Sequence, residues 1–207
     1  MKQGDQQLAT LYNEFEVPDQ PGTPAPEKRK RKRRKNQPHF DRSESLYRMT
    51  GGIDLTKSDG LDALSVPEIW SETGTHVTKS PTVKHFCSWL CLAPHNKITG
   101  GTVKSSHTPH TKNRAANAFR MAAQSLMKSK SALGAYCRRR AALHDAPTAI
   151  TATAHKLAKI FYCMLKRHEP DRPLAAAYYE KEPRDKVVRS LQRRTASLGF
   201  RLEASPC

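Results

Sequence analysis

Apolar residues recur at helical spacing through most of the middle of the chain. In one segment they fall at positions i, i+3, i+4 and i+7, which predicts a helix with one buried face: Val83, Phe86, Cys87 and Leu90. The same period predicts helices from about Thr111 to Lys128, over Ala132–His144 and over about Thr148–Arg167. No segment alternates apolar and polar residues long enough to predict a strand, and no internal repeat is present. The predicted architecture is therefore all-α, a compact helical domain.

Short polar motifs mark the expected ends of these helices. The sequence around Leu46 and Tyr47 predicts a short helix that ends at Gly51–Gly52. Ser65 is followed three residues later by Glu68, the spacing of a capping box, which predicts Ser65 as the N-cap of a helix that stops near Gly74. Ser80-Pro81 is predicted to supply the N-cap and the first residue of the next helix.

Changes in composition divide the chain into four segments. Residues 1–17 carry apolar residues at helical spacing, which indicates the remnant of an amphipathic helix whose beginning is expected to be absent. Residues 18–39 are rich in proline and basic residues, which predicts a disordered linker. Residues 40–168 form the predicted domain, and residues 169–207 are predicted to be a basic helical extension with a thin apolar stripe at Val187, Leu191 and Leu198.

The charge of the chain indicates a polyanionic partner. The formal net charge is +17, and eight of the positive charges lie in the unbroken run Lys28–Lys35, so the remainder is basic too. The run could be a nuclear-localisation signal, a nucleic-acid-binding arm or a solvated charge block. Because no apolar run approaches the ~20 residues of a membrane span and no secretory signal is visible, a cytoplasmic protein without membrane contact is expected. The five cysteines lack framework spacing and are expected to be reduced.

A polar loop with two adjacent glycines is the main candidate for chemistry. Gly100 and Gly101 let the backbone approach a phosphate closely. Basic residues flank them and recur in the following helices: Lys97, Lys104, Lys112, Arg114, Arg120, Arg138 and Arg139. Thr99 stands directly before the glycines, with His95 and two further histidines nearby, and its hydroxyl could attack a phosphodiester. The alternative is a threonine that only stabilises a glycine turn.

The sequence gives little indication of a metal site. Cys87 and Cys91 lie one helical turn apart near His85 and His95, but zinc would need a second ligand pair, so two small residues on a helix are the simpler interpretation. The acidic residues that cluster in sequence are explained as turn formers, caps and solvated positions: Asp54, Asp59, Asp62, Glu68 and Glu72. No metal ligand is predicted in this chain, and no phosphate-gripping loop of the GxxxxGK[ST] type is present.

Four ordered motifs point to a family. The succession FCSWLCLAPHNKITGG, KNRAANAFRMAAQSL, SALGAY and ITATAHKLAKIFYCML closely resembles the C-terminal half of bacterial insertion-sequence transposases of the 110/1111 group, the DEDD enzymes that work with a bridge RNA. The resemblance covers roughly residues 40 to 200. It implies a C-terminal domain that contributes a serine nucleophile, and an N-terminal RNase-H-like domain whose four acidic residues bind Mg²⁺.

The chain departs from that pattern in three places. The family's serine stands in NKISGG, whereas this chain has Thr99 in NKITGG, a hydroxyl on a stiffer, β-branched side chain. The acidic domain is expected to be missing upstream, so Mg²⁺ is expected only with a second polypeptide that carries it. A helix-hairpin-helix of the family would present a Gly-x-Gly turn to phosphate, but here Gly60-Leu61-Asp62 occupies that place and the Asp62 carboxylate would repel a phosphate.

Three functions follow from these features. The first is a truncated or split transposase whose partners are DNA, a guide RNA, and either a second copy of the chain or an acidic-domain polypeptide. The second is a non-catalytic remnant that binds nucleic acid and regulates intact relatives. The third is an unrelated basic protein, such as a nucleoid or ribosome component.

Overall fold

The computed structural model describes residues 2–14, 42–74, 77–168 and 188–200. Within them the α-helices are α1 (Lys2–Glu14), α2 (Arg42–Met49), α3 (Ser65–Thr73), α4 (Val83–Trp89), α5 (Arg114–Leu126), α6 (Ala132–Leu143) and α7 (Ala146–Arg167). Single 3-10 turns lie at Leu55–Lys57 and Val77–Lys79, and residues 188–197 are also helical. The predicted compact helical fold is confirmed, and the helices expected from the apolar period are present with ends shifted by a few residues.

The helical fold carries one small sheet that the apolar pattern did not predict. Strands β1 (Lys97–Thr99) and β2 (Thr102–Ser105) pair antiparallel as a hairpin between α4 and α5. Every residue of β1 and nearly every residue of β2 is exposed, so no apolar face is buried that would produce a long period-two pattern. The glycine loop of the sequence is therefore a β-hairpin rather than an irregular loop.

The core of the domain forms where α5 packs against α7. Both helices carry small side chains that are buried: Ala115, Ala118 and Ala122 on α5, and Ala154 and Ala158 on α7. Helix α3 packs on α5, α4 packs on α7, and α6 packs on both α5 and α7. Of the predicted apolar face of α4, Phe86, Cys87 and Leu90 are buried and Val83 is half-buried.

Aromatic rings join α4, α5 and α7. Phe161 meets Phe119 edge to face, with ring centroids 5.6 Å apart, and stacks with Phe86 at 6.4 Å. Phe86 also lies 5.5 Å from the ring of Tyr162. Since each of these rings is at most 2% exposed, the cluster fixes the position of the short helix α4 against the long helix α7.

Two N-caps differ from those predicted. Helix α3 does not use Ser65 as its cap: the Asp62 carboxylate accepts hydrogen bonds from the backbone N–H of Leu64 (3.1 Å) and Ser65 (2.8 Å), and the Ser65 hydroxyl accepts one from the Asp62 N–H (3.0 Å). Helix α4 begins after Thr82 rather than Ser80, since the Thr82 hydroxyl accepts from the backbone N–H of His85. The predicted caps are wrong in both helices, because Asp62 and Thr82 supply the capping side chains instead of Ser65 and Ser80.

Several predicted features can now be placed. The end of α3 at Gly74 is confirmed, since the Gly74 N–H donates to the carbonyl of Trp70 (2.8 Å). The linker 18–39, with its run Lys28–Lys35, lies outside the described residues, as do 169–187 and 201–207 of the extension. None of the described helices is both long and apolar enough to cross a membrane.

Gly134 provides a test of the packing between α5 and α6. A Cβ on Gly134 would lie 2.6 Å from the carbonyl oxygens of Leu126 and Ser129. Gly134→Ala is therefore expected to destabilise the domain by about 2 kcal/mol, since backbone must move. The measurement is urea unfolding followed by circular dichroism. Gly4→Ala is the control, because no atom lies within 4 Å of a Cβ at that position in α1; equal midpoints for the two variants would contradict the close contact.

Candidate nucleic-acid interface

The NKITGG segment forms the tip of the hairpin. Thr99 pairs with Thr102 across the turn, and Gly100 and Gly101 are its two central residues. Both glycines have positive φ, +57° and +73°, as a two-residue type I′ turn requires. No atom lies within 4 Å of a Cβ built at either glycine, so the backbone conformation, not crowding, is what calls for glycine there.

The two faces of the hairpin differ in chemistry. Ile98 and Val103 pair on one face and remain 62% and 52% exposed. Thr99 and Thr102 lie on the opposite face, because side chains alternate along a strand. The register shifts between Lys97 and Ile98, so that Lys97 pairs with Ser105 and Lys104 becomes the extra residue of a bulge. The tip thus presents hydroxyls on one face, β-branched apolar groups on the other, and two lysines at its base.

The Thr99 side chain is accessible but not activated. The described part of the chain places no hydrogen-bond partner on its hydroxyl, and the residue is exposed. Among the histidines named from the sequence, His95 is tied to the hairpin base by its backbone N–H, which donates to the carbonyl of His107 (2.9 Å). Within the described residues no histidine is therefore hydrogen-bonded to Thr99, and an alcohol without a neighbouring base is a weak nucleophile.

The exit from α4 fixes where the hairpin begins. The N–H groups of Cys91 and Leu92 donate to the carbonyls of Ser88 (2.9 Å) and Cys87 (3.0 Å), the pattern of a Schellman C-cap. Cys91 occupies the left-handed position, with φ +51°, although it is not glycine. Leu92 is then buried in the core, which anchors the chain just before it leaves for the hairpin.

Arg120 connects this exit to α5. Its guanidinium donates to the carbonyl of Cys91 (3.4 Å) and to the side-chain oxygen of Asn117 (3.4 Å), and the residue is half-buried. The sequence predicts that Arg120 holds nucleic acid. The structure shows a contact within the domain, which leaves only part of its hydrogen-bonding capacity for a ligand.

The other basic candidates lie in three places. Lys97 and Lys104 are exposed on the hairpin, and Lys112 is exposed in the segment that leads into α5. Arg114 is the first residue of α5 and lies 3.9 Å from the Glu72 carboxylate, a loose and largely exposed pair that contributes little stability. Arg114 therefore remains available to an anion near the start of α5, a helix whose Asn113 cap already accepts from the Ala116 N–H.

Arg138 and Arg139 are not brought to the hairpin by any described contact. The Arg138 guanidinium donates to the carbonyls of Met127 (3.0 Å) and Ser129 (2.5 Å), which satisfies carbonyl groups at the end of α5. Its contact is thus to its own domain. Arg139 follows on the same helix and is half-buried.

The acidic residues and cysteines do not assemble a metal site in the described part of the chain, where no three His, Cys, Asp or Glu residues come together. Asp54 accepts from the backbone N–H (3.0 Å) and the hydroxyl (2.5 Å) of Thr56, and Asp62 caps α3, which confirms that both are structural. Burial raises the pKa of the Cys87 thiol to about 11, only partly opposed by the charge of Lys159. A thiol held neutral in this way is a poor zinc ligand.

Trp89 is the exposed residue that the sequence pattern missed. It ends α4, where helical spacing identified the core face but gave no reason to single out the indole. The signal for its exposure was its position two residues before Cys91, next to the turn that ends the helix.

The hairpin also had a sequence signal that was missed. It was Thr-Gly-Gly-Thr between Ile98 and Val103, since a glycine pair between β-branched residues is typical of a two-residue hairpin.

One family model matches this part of the chain. Residues 54–138 are similar to a transposase domain. The family model that they match is that of the Transposase IS116/IS110/IS902 family, and the match supports a C-terminal-type domain of that family. It covers less than half of the chain, taking in the hairpin, all of α5 and the first part of α6. Searches of curated proteins and of solved structures found no match.

Arg120 and Lys112 allow the structural and binding contributions of the interface to be separated. Arg120→Ala is expected to lower stability by about 1 kcal/mol through loss of its hydrogen bonds, and to weaken binding of a DNA duplex as well. Lys112→Ala is expected to weaken binding without changing stability, because its side chain is exposed. Thermal unfolding and fluorescence anisotropy measure the two quantities. Unchanged stability in Arg120→Ala would show that its contact with Cys91 contributes nothing.

Proposed function

We propose that this chain is the DNA-binding, nucleophile-bearing part of an insertion-sequence transposase and takes part in DNA transposition and recombination. The observation that carries the proposal is the placement of Thr99 at the tip of an exposed hairpin, beside Gly100–Gly101, within the segment that matches the transposase family. The glycines at the tip have no side chains that would keep a phosphate away from the backbone. Lys97 and Lys104 supply positive charge at its base.

In the proposed reaction the Thr99 oxygen attacks the phosphorus of a phosphodiester. A bond forms between Thr99 and the phosphate while the bond to one flanking sugar oxygen breaks, and the strand becomes joined to the protein. The hydroxyl proton passes to a base, and the leaving sugar oxygen takes up a proton. The free sugar hydroxyl of another strand can later attack the same phosphorus. This attack releases the Thr99 oxygen and joins the two strands, since the phosphoester linkage conserves the energy of the original bond.

The described residues do not supply the base or the metal for this step. Thr99 has no hydrogen-bond partner there, and the carboxylates of Asp54 and Asp62 are engaged by backbone N–H groups close to them in the chain. These residues do not fit the Mg²⁺ site that the family resemblance implies. We therefore propose that a polypeptide with an acidic domain completes the active site, with DNA and a guide RNA as further partners and a second copy of the chain as an alternative.

Substitution of Thr99 tests the nucleophile. The full chain is mixed with the acidic-domain polypeptide, Mg²⁺ and element-end DNA, and covalent protein–DNA adducts are resolved on denaturing gels. Thr99→Ala is expected to abolish the adduct. Thr99→Ser is expected to increase its rate, because serine lacks the methyl group that restricts χ1 and crowds the oxygen.

Thr102→Ala is the matched control, since Thr102 pairs with Thr99 on the same exposed face. It should leave the adduct unchanged. An adduct that survives in Thr99→Ala would exclude Thr99 as the nucleophile, and loss of the adduct in Thr102→Ala as well would attribute the effect to the hairpin as a whole.

A second candidate function is a protein that binds nucleic acid without catalysis and competes with intact relatives. The observation in its favour is the isolated Thr99 hydroxyl, on a β-branched side chain and with no base beside it among the described residues. Under this function no adduct forms with any acidic-domain polypeptide, while binding to DNA persists.

Both functions predict that the hairpin lysines bind phosphates. Replacing Lys97 and Lys104 together by alanine should reduce the slope of log affinity against log salt by roughly 2, about one for each phosphate that is no longer neutralised. Anisotropy titrations of a DNA duplex between low and moderate salt give the slope. Lys57→Ala is the control, an exposed lysine on a different turn. An unchanged slope in the double variant would place the duplex elsewhere on the protein.

A further inference from the structure

A groove outside the hairpin opens between α3 and α4. It has a volume of about 330 Å³ and lies between the end of α3, the 3-10 turn Val77–Lys79 and the outer side of α4. The residues that matter for its chemistry are Glu72, Lys79, Pro81, His85, Phe86 and Trp89. Its size falls at the lower end of the range for pockets that hold small, flat ligands, roughly 300–1,000 Å³.

Trp89 forms an open aromatic wall of this groove. The residue is 47% exposed, whereas the other tryptophan, Trp70, is only 8% exposed. The ring of Phe86, which is buried, lies 6.1 Å from the indole at an angle of 31° and supports it from the core side. The indole is thus held in place on one side while much of its surface faces solvent.

The part of the lining at Ser80 and Pro81 is held by α7. The Tyr162 hydroxyl donates to the carbonyl of Ser80 (2.8 Å), and the Lys166 ammonium group donates to the carbonyl of Pro81 (2.8 Å) and to the Tyr162 oxygen (3.1 Å). These bonds hold the segment before α4 against the longest of the described helices. The groove therefore has its shape before any ligand arrives.

Polar groups suited to the edge of a nucleobase line the same groove. The Glu72 carboxylate can accept from an exocyclic amino group, and its only described ionic contact is the loose pair with Arg114. The Nδ1 atom of His85 is 2.8 Å from the Thr82 hydroxyl, so this hydrogen bond holds the ring and leaves Nε2 for another partner.

Positive charges surround the groove and select among flat aromatic ligands. Lys79 lines it, Lys166 bonds to its wall and Arg114 pairs with its carboxylate. Three cations around a single lining carboxylate favour a ligand whose aromatic ring is attached to a sugar that carries phosphates. An aromatic side chain of a protein partner brings no such charge.

We propose that this groove binds an unpaired base of a single-stranded nucleic acid, which stacks on Trp89 while a flanking phosphate meets Lys79. The inference rests on the proposed function only in assuming that the protein meets nucleic acid, and it uses a surface other than the hairpin. A duplex cannot fill the site, because its bases are stacked on one another. The same chemistry fits single-stranded DNA and RNA.

Trp89 variants on matched oligonucleotides test the proposal. Anisotropy titrations use labelled single strands of DNA and of RNA, about 12 nucleotides long to cover one binding site, a DNA duplex of the same sequence, and a DNA strand made entirely of abasic nucleotides. Trp89→Ala is expected to lose roughly 5- to 100-fold in affinity for both single strands. It should lose no more than about twofold for the duplex and for the abasic strand, which offer no base to stack. Trp89→Phe keeps a stacking ring and should retain most of the affinity.

Leu143→Ala is the matched control, because Leu143 is another exposed large apolar residue, at the end of α6. It should bind every probe as the unchanged protein does. Equal affinity of Trp89→Ala and the unchanged protein for both single strands would overturn the proposal, and so would equal losses on the abasic strand. If Trp89→Ala loses affinity for only the DNA strand or only the RNA strand, that strand is the source of the base. If the protein binds the duplex but Trp89→Ala does not change binding of single strands, only the proposal for the groove is contradicted. If the protein binds none of the probes, the proposed function is contradicted as well.

A measurement on the unchanged protein covers the case in which Trp89→Ala does not fold. Acrylamide quenching of tryptophan fluorescence reports chiefly on Trp89, since Trp70 is nearly buried. Saturation with the single strand should lower the quenching constant about twofold or more, whereas saturation with the abasic strand should leave it unchanged. Full accessibility of the indole in the single-strand complex would contradict stacking.

Discussion

The close approach of α5 to α7 is the constraint on which the rest of the domain depends. Both helices carry buried alanines, and Phe119 on α5 meets Phe161 on α7 edge to face. Phe161 then orients Phe86 and, through it, the short helix α4. Because α4 has only seven residues, it could not hold a fixed direction by its own hydrogen bonds. The position of the hairpin and the shape of the groove beside Trp89 both follow from this packing.

Helix positions could be predicted because burial on one face leaves a period in the sequence. The period placed α5 and α7 within a few residues of their observed ends, and each helix does bury one face. Helix ends were harder to predict, since several neighbouring polar side chains could serve as the cap. At α3 the cap is Asp62 instead of Ser65, since the Asp62 carboxylate accepts from the N–H groups of Leu64 and Ser65. Such a choice depends on tertiary direction, which composition and spacing do not encode.

The candidate site was predictable only in part, for a different reason. Thr99, its glycines and the lysines beside them were visible as residue types, and the hairpin does bring them together. Arg120 and Arg138 looked equally suited to bind phosphate, yet both donate to backbone carbonyls of the domain. An arginine on a basic helix carries the same sequence signature whether its partner is a ligand or the protein. Trp89 was missed for a related reason, since an indole at helical spacing is normally assigned to the core.

The hairpin is joined to a rigid body but takes little stability from it. Ile98 and Val103 face solvent, and the strands pair chiefly with each other, so few interactions resist their separation. A two-stranded hairpin of this kind is marginal in water. Its amides should therefore exchange with solvent deuterium through local opening, long before those of α5 or α7, which require the whole domain to unfold. Residues proposed for chemistry thus lie on the element that the domain can reshape at the lowest energetic cost, and a partner that binds the tip would also be ordering it.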